Sequence, residues 1–143
     1  TIIRIFLKAW LFLGEMKMAL HYKFFLAGII FVLLGMILGM WMGMHEDFLY
    51  KDVHAHLNLL GFVTNFIYGL YYRGDREAEN MPLPKVQFWC AILGMIIIVP
   101  GIWEAQTQGP LAWLTIPGSL LSFLAMILFL VVVVQRSRSA TAA

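Results

Sequence analysis

Four long stretches of the chain carry no Asp, Glu, Lys or Arg, and short polar stretches separate them. They run over residues 24–44, 53–72, 86–103 and 111–134. A helix needs about 20 apolar residues to cross the hydrocarbon core of a bilayer, so the pattern predicts four membrane-spanning helices. Pro100 and Pro117 fall inside the third and fourth stretches. Because membrane helices tolerate proline, we expect these prolines to kink their helices and not to end them.

Composition supports this prediction and excludes other classes of protein. The 143 residues are 62% hydrophobic and 13% charged, whereas soluble domains are about half apolar and a quarter charged. An ordinary water-soluble globule, a disordered chain and a nucleic-acid-binding domain are therefore excluded. The single cysteine, Cys90, excludes an intrachain disulfide and a Cys-cluster metal site. The expected fold is an all-α membrane protein, a four-helix transmembrane bundle.

The two ends of the chain are more polar than the spans. Residues 1–22 are apolar but contain four charged positions up to Lys17, which predicts an amphipathic helix lying in the membrane interface. A signal peptide is the alternative, disfavoured because no small-residue cleavage site follows. The segment Met16-Lys17-Met18 could equally be the native start of the protein, with the upstream residues appended. Residues 1–15 are therefore not assigned to the native protein. Residues 23–136 form the predicted membrane domain, and residues 137–143 a flexible tail.

Positive charge predicts the orientation of the bundle. With four spans, nine of the ten Lys and Arg residues fall on one side, in the N-terminal segment, the second loop and the tail, and only Lys51 falls on the other. Basic residues favour the cytoplasmic side, so both termini are predicted to be cytoplasmic. Trp41, Trp103 and Trp113 then lie at the outer ends of their spans, as an aromatic belt does.

The second span carries a polar stripe that begins near its outer end. At about 100° per residue, one helix face collects His54, Asn58, Gly61 and Asn65, followed by Tyr68 and Tyr72. Ionisable residues at membrane depth are usually functional, and the glycine leaves room for a large flat ligand. The alternative is a helix-packing seam of small and polar residues. His56 lies about 200° away, so these two histidines cannot both bind one metal from a regular helix.

The first span has a seam of its own and a set of methionines. Its glycines recur at Gly28, Gly35, Gly39 and Gly43, a spacing that favours close helix packing and leads us to expect an oligomer. Methionine and imidazole bind copper(I). A copper site at the outer face could use Met42, Met44, His45, His54 and His56. Methionines that fill gaps beside the glycine seam are the favoured alternative, and His45 equally suits a hydrated interfacial residue.

The second span also carries a segment that resembles a known family. Residues 53–62 read VHAHLNLLGF and are followed by Asn65, Tyr68-Gly69 and Tyr71-Tyr72-Arg73. This segment resembles the second helix of heme-copper oxidase subunit I, above all in C-family oxidases and nitric oxide reductases, and resembles short subunit-I-like membrane proteins still more closely. The GMWMG ending of span one (residues 39–43) and Phe88-Trp89 with Gly94 are similar to the same group.

The resemblance implies a heme b protein of the bacterial inner membrane. By position, His54 corresponds to an axial ligand of the low-spin heme near the outer face, where the predicted topology also places it. A second ligand could be Met42, Met44 or His45, a histidine of another chain, or none. His56 could hydrogen-bond a heme propionate, bind a metal of a neighbouring helix or subunit, or simply be hydrated.

The resemblance does not extend to a complete oxidase. The chain has four predicted spans, not twelve, and it lacks the later helix with the second axial histidine and the histidines of the copper site. We therefore expect an electron-transfer or gas-binding subunit, or an accessory of a respiratory complex. The alternatives are a copper-handling membrane protein and a non-catalytic structural subunit.

Overall fold

The computed structural model describes Arg4, Lys8 and residues 18–141, and this part of the chain is helical with no strand. In chain order the helices are α1 (Leu20–His45), α2 (Lys51–His56), α3 (Asn65–Gly74), α4 (Arg76–Asn80), α5 (Pro82–Gln106) and α6 (Thr115–Thr141). A π-helical segment (Leu57–Thr64) joins α2 to α3, and a short 3-10 turn (Ala112–Leu114) precedes α6. The prediction of an all-α chain is confirmed for the described residues.

Among the described residues, three helices are long and apolar enough to cross a membrane. They are Leu20–His45, Pro82–Gln106 and Ala112–Ser139. The apolar composition of these helices indicates a lipid bilayer as their surroundings, which confirms the prediction of a membrane protein. The second predicted span, residues 53–72, is not among the three, because a π-helical segment divides the helical stretch 51–74 that contains it into short pieces.

The π-helical segment is held by side chains that bond to its own carbonyls. Thr64 Oγ1 donates to the carbonyl of Leu59 at 3.1 Å, and Asn65 Nδ2 donates to the carbonyls of Leu60 and Gly61 at 3.2 and 2.8 Å. A π-helical turn takes in more residues than an α-helical turn because its backbone bonds run from i to i+5. Polar side chains at its C-terminal end therefore stabilise a turn that is wider than the α-helical one.

The helix α5 is the central element. In the most apolar 18 residues of α5, half are buried inside the protein, whereas the corresponding shares are 28% in α1 and 22% in the last helix. Glycines bring α5 and α6 into backbone contact: a Cβ added at Gly101 would lie 2.6 Å from the backbone nitrogen of Thr115, and one added at Gly118 would lie 2.6 Å from that of Ile98. Close approach at small residues is typical of helix pairs in membranes.

The two prolines do not end their helices. α5 continues through Pro100 to Gln106, in agreement with the expectation for a membrane helix. Pro117 lies in the first turn of α6, which begins at Thr115. A proline is tolerated in a first turn because its missing N–H would have no partner there.

The glycine seam of α1 is used inside the chain. A Cβ added at Gly28 would lie 3.3 Å from the carbonyl oxygen of Phe62, and one added at Gly35 would lie 2.6 Å from Asn58 Oδ1. Both contacts are with the stretch 51–74. The seam therefore joins α1 to the next helical stretch of the same chain, and the oligomer that its spacing led us to expect stays a prediction.

The predicted interfacial segment and the predicted flexible tail both stay predictions. Of the predicted interfacial segment, residues 1–3, 5–7 and 9–17 lie outside the described residues, and α1 already begins at Leu20. At the other end, α6 continues to Thr141 and so includes part of the predicted tail, residues 137–143. Ser137 and Ser139 donate to the carbonyls of Val134 and Gln135 at 2.9 and 3.1 Å, which supports these last turns.

Candidate functional site

His54 lies on the side of α2 that faces α1. Its Nδ1 is 2.8 Å from the carbonyl oxygen of Gly35. Because a carbonyl only accepts, Nδ1 carries the hydrogen and donates it. A Cβ added at Gly39 would lie 2.7 Å from His54 Cε1. The glycine therefore lets the imidazole lie against the backbone of α1, which fixes its position by one hydrogen bond and one close contact.

The other nitrogen of this imidazole accepts a hydrogen bond from Asn58. Asn58 Nδ2 is 3.0 Å from His54 Nε2 and 2.9 Å from the carbonyl oxygen of His54. The second contact identifies this atom as the amide nitrogen, since an amide oxygen there would meet another oxygen. His54 Nε2 is consequently the nitrogen with the lone pair, and the network assigns the neutral Nδ1–H tautomer.

The remaining residues of the predicted stripe face other helices. A Cβ added at Gly61 would lie 2.7 Å from Phe31 Cβ and 3.1 Å from Met95 Cε, on α1 and α5. Asn65 is 1% exposed and, with Ser122 of α6, lines a void of about 10 Å³. The stripe is divided because the π-helical segment breaks the 100° repeat on which its geometry was based. His54 and Asn58 face the glycines of α1, whereas Asn65 faces the interior between α5 and α6.

The inner end of the stripe is a packed aromatic core. Tyr68 and Tyr72 are 2% and 0% exposed. The hydroxyl of Tyr72 donates to Gln87 Oε1, and the hydroxyl of Tyr68 lies 3.7 Å from Met126 Sδ. Phe24 stacks on Tyr72 with ring centroids 5.7 Å apart. These residues have well-defined packing partners and leave no space for a large ligand there.

The other predicted metal ligands do not gather around His54. His56 Nδ1 donates to the carbonyl of Asp52 one turn back at 2.8 Å, and His45 Nδ1 donates to the carbonyl of Trp41 at 2.9 Å. His45 also stacks on the Trp41 ring, and Met44 is 75% exposed. In residues 18–141 with Arg4 and Lys8, no group of three His, Cys, Asp or Glu side chains is placed to hold a metal ion.

The structure reveals a buried ionic cluster that sequence analysis missed. Glu79 of α4 is 4% exposed, and its Oε1 accepts from His21 Nδ1 at 2.7 Å and from the His21 backbone nitrogen at 2.8 Å. Arg76 Nη1 is 2.8 Å from its other oxygen. The signal available in the sequence was the i, i+3 spacing of Arg76 and Glu79, together with the placement of His21 on the same side of the membrane as that loop.

The imidazole of His54 has one nitrogen that could bind a metal ion, and Asn58 competes for it. Metal-binding histidines usually donate their other N–H to a carbonyl or a carboxylate, which fixes the tautomer. The bond to Gly35 does this for His54. An iron at Nε2 would have to displace the Asn58 amide, because this nitrogen has a single lone pair. His54 could therefore hold a metal ion only if Asn58 turns away.

Comparisons of this chain with protein-family models, with curated proteins and with solved structures found no match.

Proposed function

We propose that this chain is a heme b-binding membrane protein that acts in electron transfer or small-gas binding, as a subunit or accessory of a respiratory complex. The observation that carries the proposal is the orientation of His54, whose Nδ1–H is fixed by Gly35 and whose Nε2 keeps the lone pair that iron requires. The resemblance of residues 53–73 to the second helix of heme-copper oxidase subunit I supports the same residue.

The proposal includes a four-span bundle in the bacterial inner membrane with both termini cytoplasmic. Residues 51–74 are continuously helical apart from the change of helix type. At about 1.5 Å per residue they extend about 36 Å, which exceeds the roughly 30 Å of a hydrocarbon core. The distribution of Lys and Arg supports the orientation, and it puts His54 near the outer face.

A non-catalytic structural subunit is the second candidate function. It is favoured by the close contact of His54 with Gly39 and of Asn58 with Gly35. Here the histidine and the asparagine form a polar pair that joins two membrane helices, a role known for such side chains. The copper-handling alternative has no comparable support, because Met44, His45 and His56 each have different surroundings.

An absorption spectrum of the protein, purified in mild detergent from heme-supplied cells, tests the two candidates. We expect reduced-minus-oxidised bands of a low-spin b-type heme in the parent protein. The variant His54→Gly should lose them, and added imidazole should restore them by occupying the space of the missing side chain. His56→Ala, two residues away on a different side of the helix, is the matched control and should keep the bands.

Two results would contradict the heme proposal. One is a parent protein that takes up no heme even when reconstituted with hemin. The other is a His54→Gly variant with the same low-spin spectrum as the parent. In the structural reading, His54→Gly only lowers the melting temperature, and imidazole changes no heme band.

A further inference from the structure

A second site lies at the opposite end of the 51–74 stretch from His54. A cavity of about 460 Å³ lies beside the start of α1, the helix α4 and the first two turns of α5. Its walls include Lys23, Arg76, Glu79, Lys85, Phe88 and Trp89. It contains none of the residues of the His54 site, so any role it has is separate from heme binding.

The cavity is electropositive. Among the described residues, three cationic side chains and one carboxylate line it. That carboxylate, Glu79, already accepts from His21 and Arg76, so its charge is compensated within the protein. A guanidinium has five N–H donors, and Arg76 is 62% exposed although it contacts Glu79. The cavity is therefore complementary to an anion with several oxygens, such as a phosphate group.

The same cavity has an aromatic wall. Lys85 and Trp89 are four residues apart on α5, so they lie on the same face of the helix, with Trp89 one turn deeper. Trp89 is 40% exposed, and Phe88 beside it is buried. Since α5 is long and apolar enough to span the bilayer, its first turns lie where lipid headgroups meet acyl chains. A charged rim above an apolar wall fits an amphiphile better than a soluble anion.

We propose that this cavity binds the phosphate of an anionic phospholipid. Arg76 and Lys85 contact the phosphate, and Trp89 lies beside the first part of an acyl chain. The volume is within the range of ligand sites in proteins, about 300–1,000 Å³, and it accommodates the headgroup while the acyl chains remain in the bilayer. Basic pockets at the cytoplasmic ends of membrane helices bind lipid headgroups by the same chemistry.

Native mass spectrometry of the full chain in detergent tests this proposal. The protein is titrated with dioleoylphosphatidylglycerol and, separately, with dioleoylphosphatidylcholine. We expect the parent to bind the anionic lipid more tightly and Lys85→Gln to lower that preference about fivefold, the effect of one lysine near a membrane surface. Lys85 belongs to none of the ion pairs among the described residues, so the substitution leaves the His21–Glu79–Arg76 cluster intact.

The matched control is Lys51→Gln, which removes the same charge at the other end of the 51–74 stretch and should keep the preference. An equal loss in Lys51→Gln would show that net charge alone attracts the lipid and would overturn the proposal, as would the absence of any preference in the parent. A third arm adds inorganic phosphate. If phosphate displaces the lipid and stabilises the parent but not Lys85→Gln, the occupant is a soluble phosphate and the lipid assignment is wrong.

Discussion

At the scale of single residues, the glycines of α1 determine how closely the polar side chains of the next helix approach. Gly39 lies under the ring of His54, whereas a Cβ added at Gly43, one turn further on, would meet no atom of the described residues within 4 Å. Both glycines are in the same helix and differ by one turn. Replacing each of these two glycines in turn therefore separates the effect of the close contact from the general effect of replacing a glycine in a helix.

We expect Gly39→Ala to destabilise the protein by about 1–3 kcal/mol, the usual cost of overpacking, because the new methyl group would displace the His54 ring from the Gly35 carbonyl. Gly43→Ala should be neutral or slightly stabilising, since alanine favours the helix. Thermal unfolding of both variants in the same detergent checks this. Equal melting temperatures for the two variants would contradict the close contact.

A second residue-scale feature is the ion pair between Asp75 and Arg136. Asp75 Oδ2 accepts from Arg136 Nε at 2.7 Å, while its Oδ1 accepts from the backbone nitrogen of Ala78 and caps α4. The hydrogen bond from Arg136 is the main reason that the pKa of the Asp75 carboxyl lies below its usual value, and the bond from Ala78 adds to it. A carboxyl with a lowered pKa stabilises the folded state above its unfolded pKa and loses this contribution as the pH falls.

Asp75→Asn should remove the ion pair and keep an amide oxygen for the cap. We expect a loss of about 0.5–1 kcal/mol at neutral pH, as for a partly exposed ion pair. The difference from the parent should begin to shrink as the pH falls below the usual carboxyl pKa of about 4, and it should disappear only below the lowered pKa of the folded protein, where the parent carboxyl is protonated too. Melting curves recorded from acid to neutral pH measure this difference in stability. The control is Glu77→Gln, which removes the more exposed partner of Arg136. A difference in stability between Asp75→Asn and the parent that does not depend on pH would contradict the ion pair.

At the scale of elements, the long helices could be predicted from the sequence and the π-helical segment could not. The uncharged stretch 86–103 lies inside α5 (Pro82–Gln106), and the uncharged stretch 24–44 lies inside α1 (Leu20–His45). These helices could be predicted because the length of an apolar stretch is visible in the sequence itself. A change of helix type leaves no trace in hydropathy. The predicted stripe assumed a constant 100° per residue, so it correctly grouped His54 with Asn58, four residues apart, but it could not show that Asn65 faces different helices.

Deletion of Leu59 should test this segment, since one residue fewer would allow a regular α-helical turn. The deletion would change the rotation of His54 relative to Asn65 and so move its ring away from Gly35. We expect a large fall in melting temperature, whereas Leu59→Ala should have little effect because that side chain is 63% exposed. Similar melting temperatures for the deletion and the substitution would show that the segment is not structurally required.

At the scale of the whole molecule, the contacts that join the second loop to distant residues could not be predicted, because hydropathy does not specify partners. The loop predicted for residues 73–85 contains α4, whose buried Glu79 contacts His21. His21 is 58 positions away in the sequence. The four-span topology requires this loop to lie on the opposite side of the membrane from the turn that precedes Lys51.

Cysteine labelling tests that topology directly. In a Cys90→Ala background, which removes the native cysteine, single cysteines replace Phe48 and Asn80, both exposed. We expect a membrane-impermeant maleimide added outside intact cells to label Phe48→Cys, and to label Asn80→Cys only after the cells are opened. Labelling of both positions from the same side would contradict a membrane crossing by residues 51–74.

The long separation between His21 and Glu79 has a consequence for how the protein is made. A chain emerges from the ribosome with its N-terminal part first, so α1 is complete before the carboxylate that pairs with His21 has been synthesised. The pair closes only when residues 51–74 have also emerged. From then on α1 is joined to the following segments at two places, by His21 and Glu79 at its start and by Gly35 and His54 beyond its middle. The first half of the protein can thus form a closed hairpin while α5 and α6 are still being synthesised.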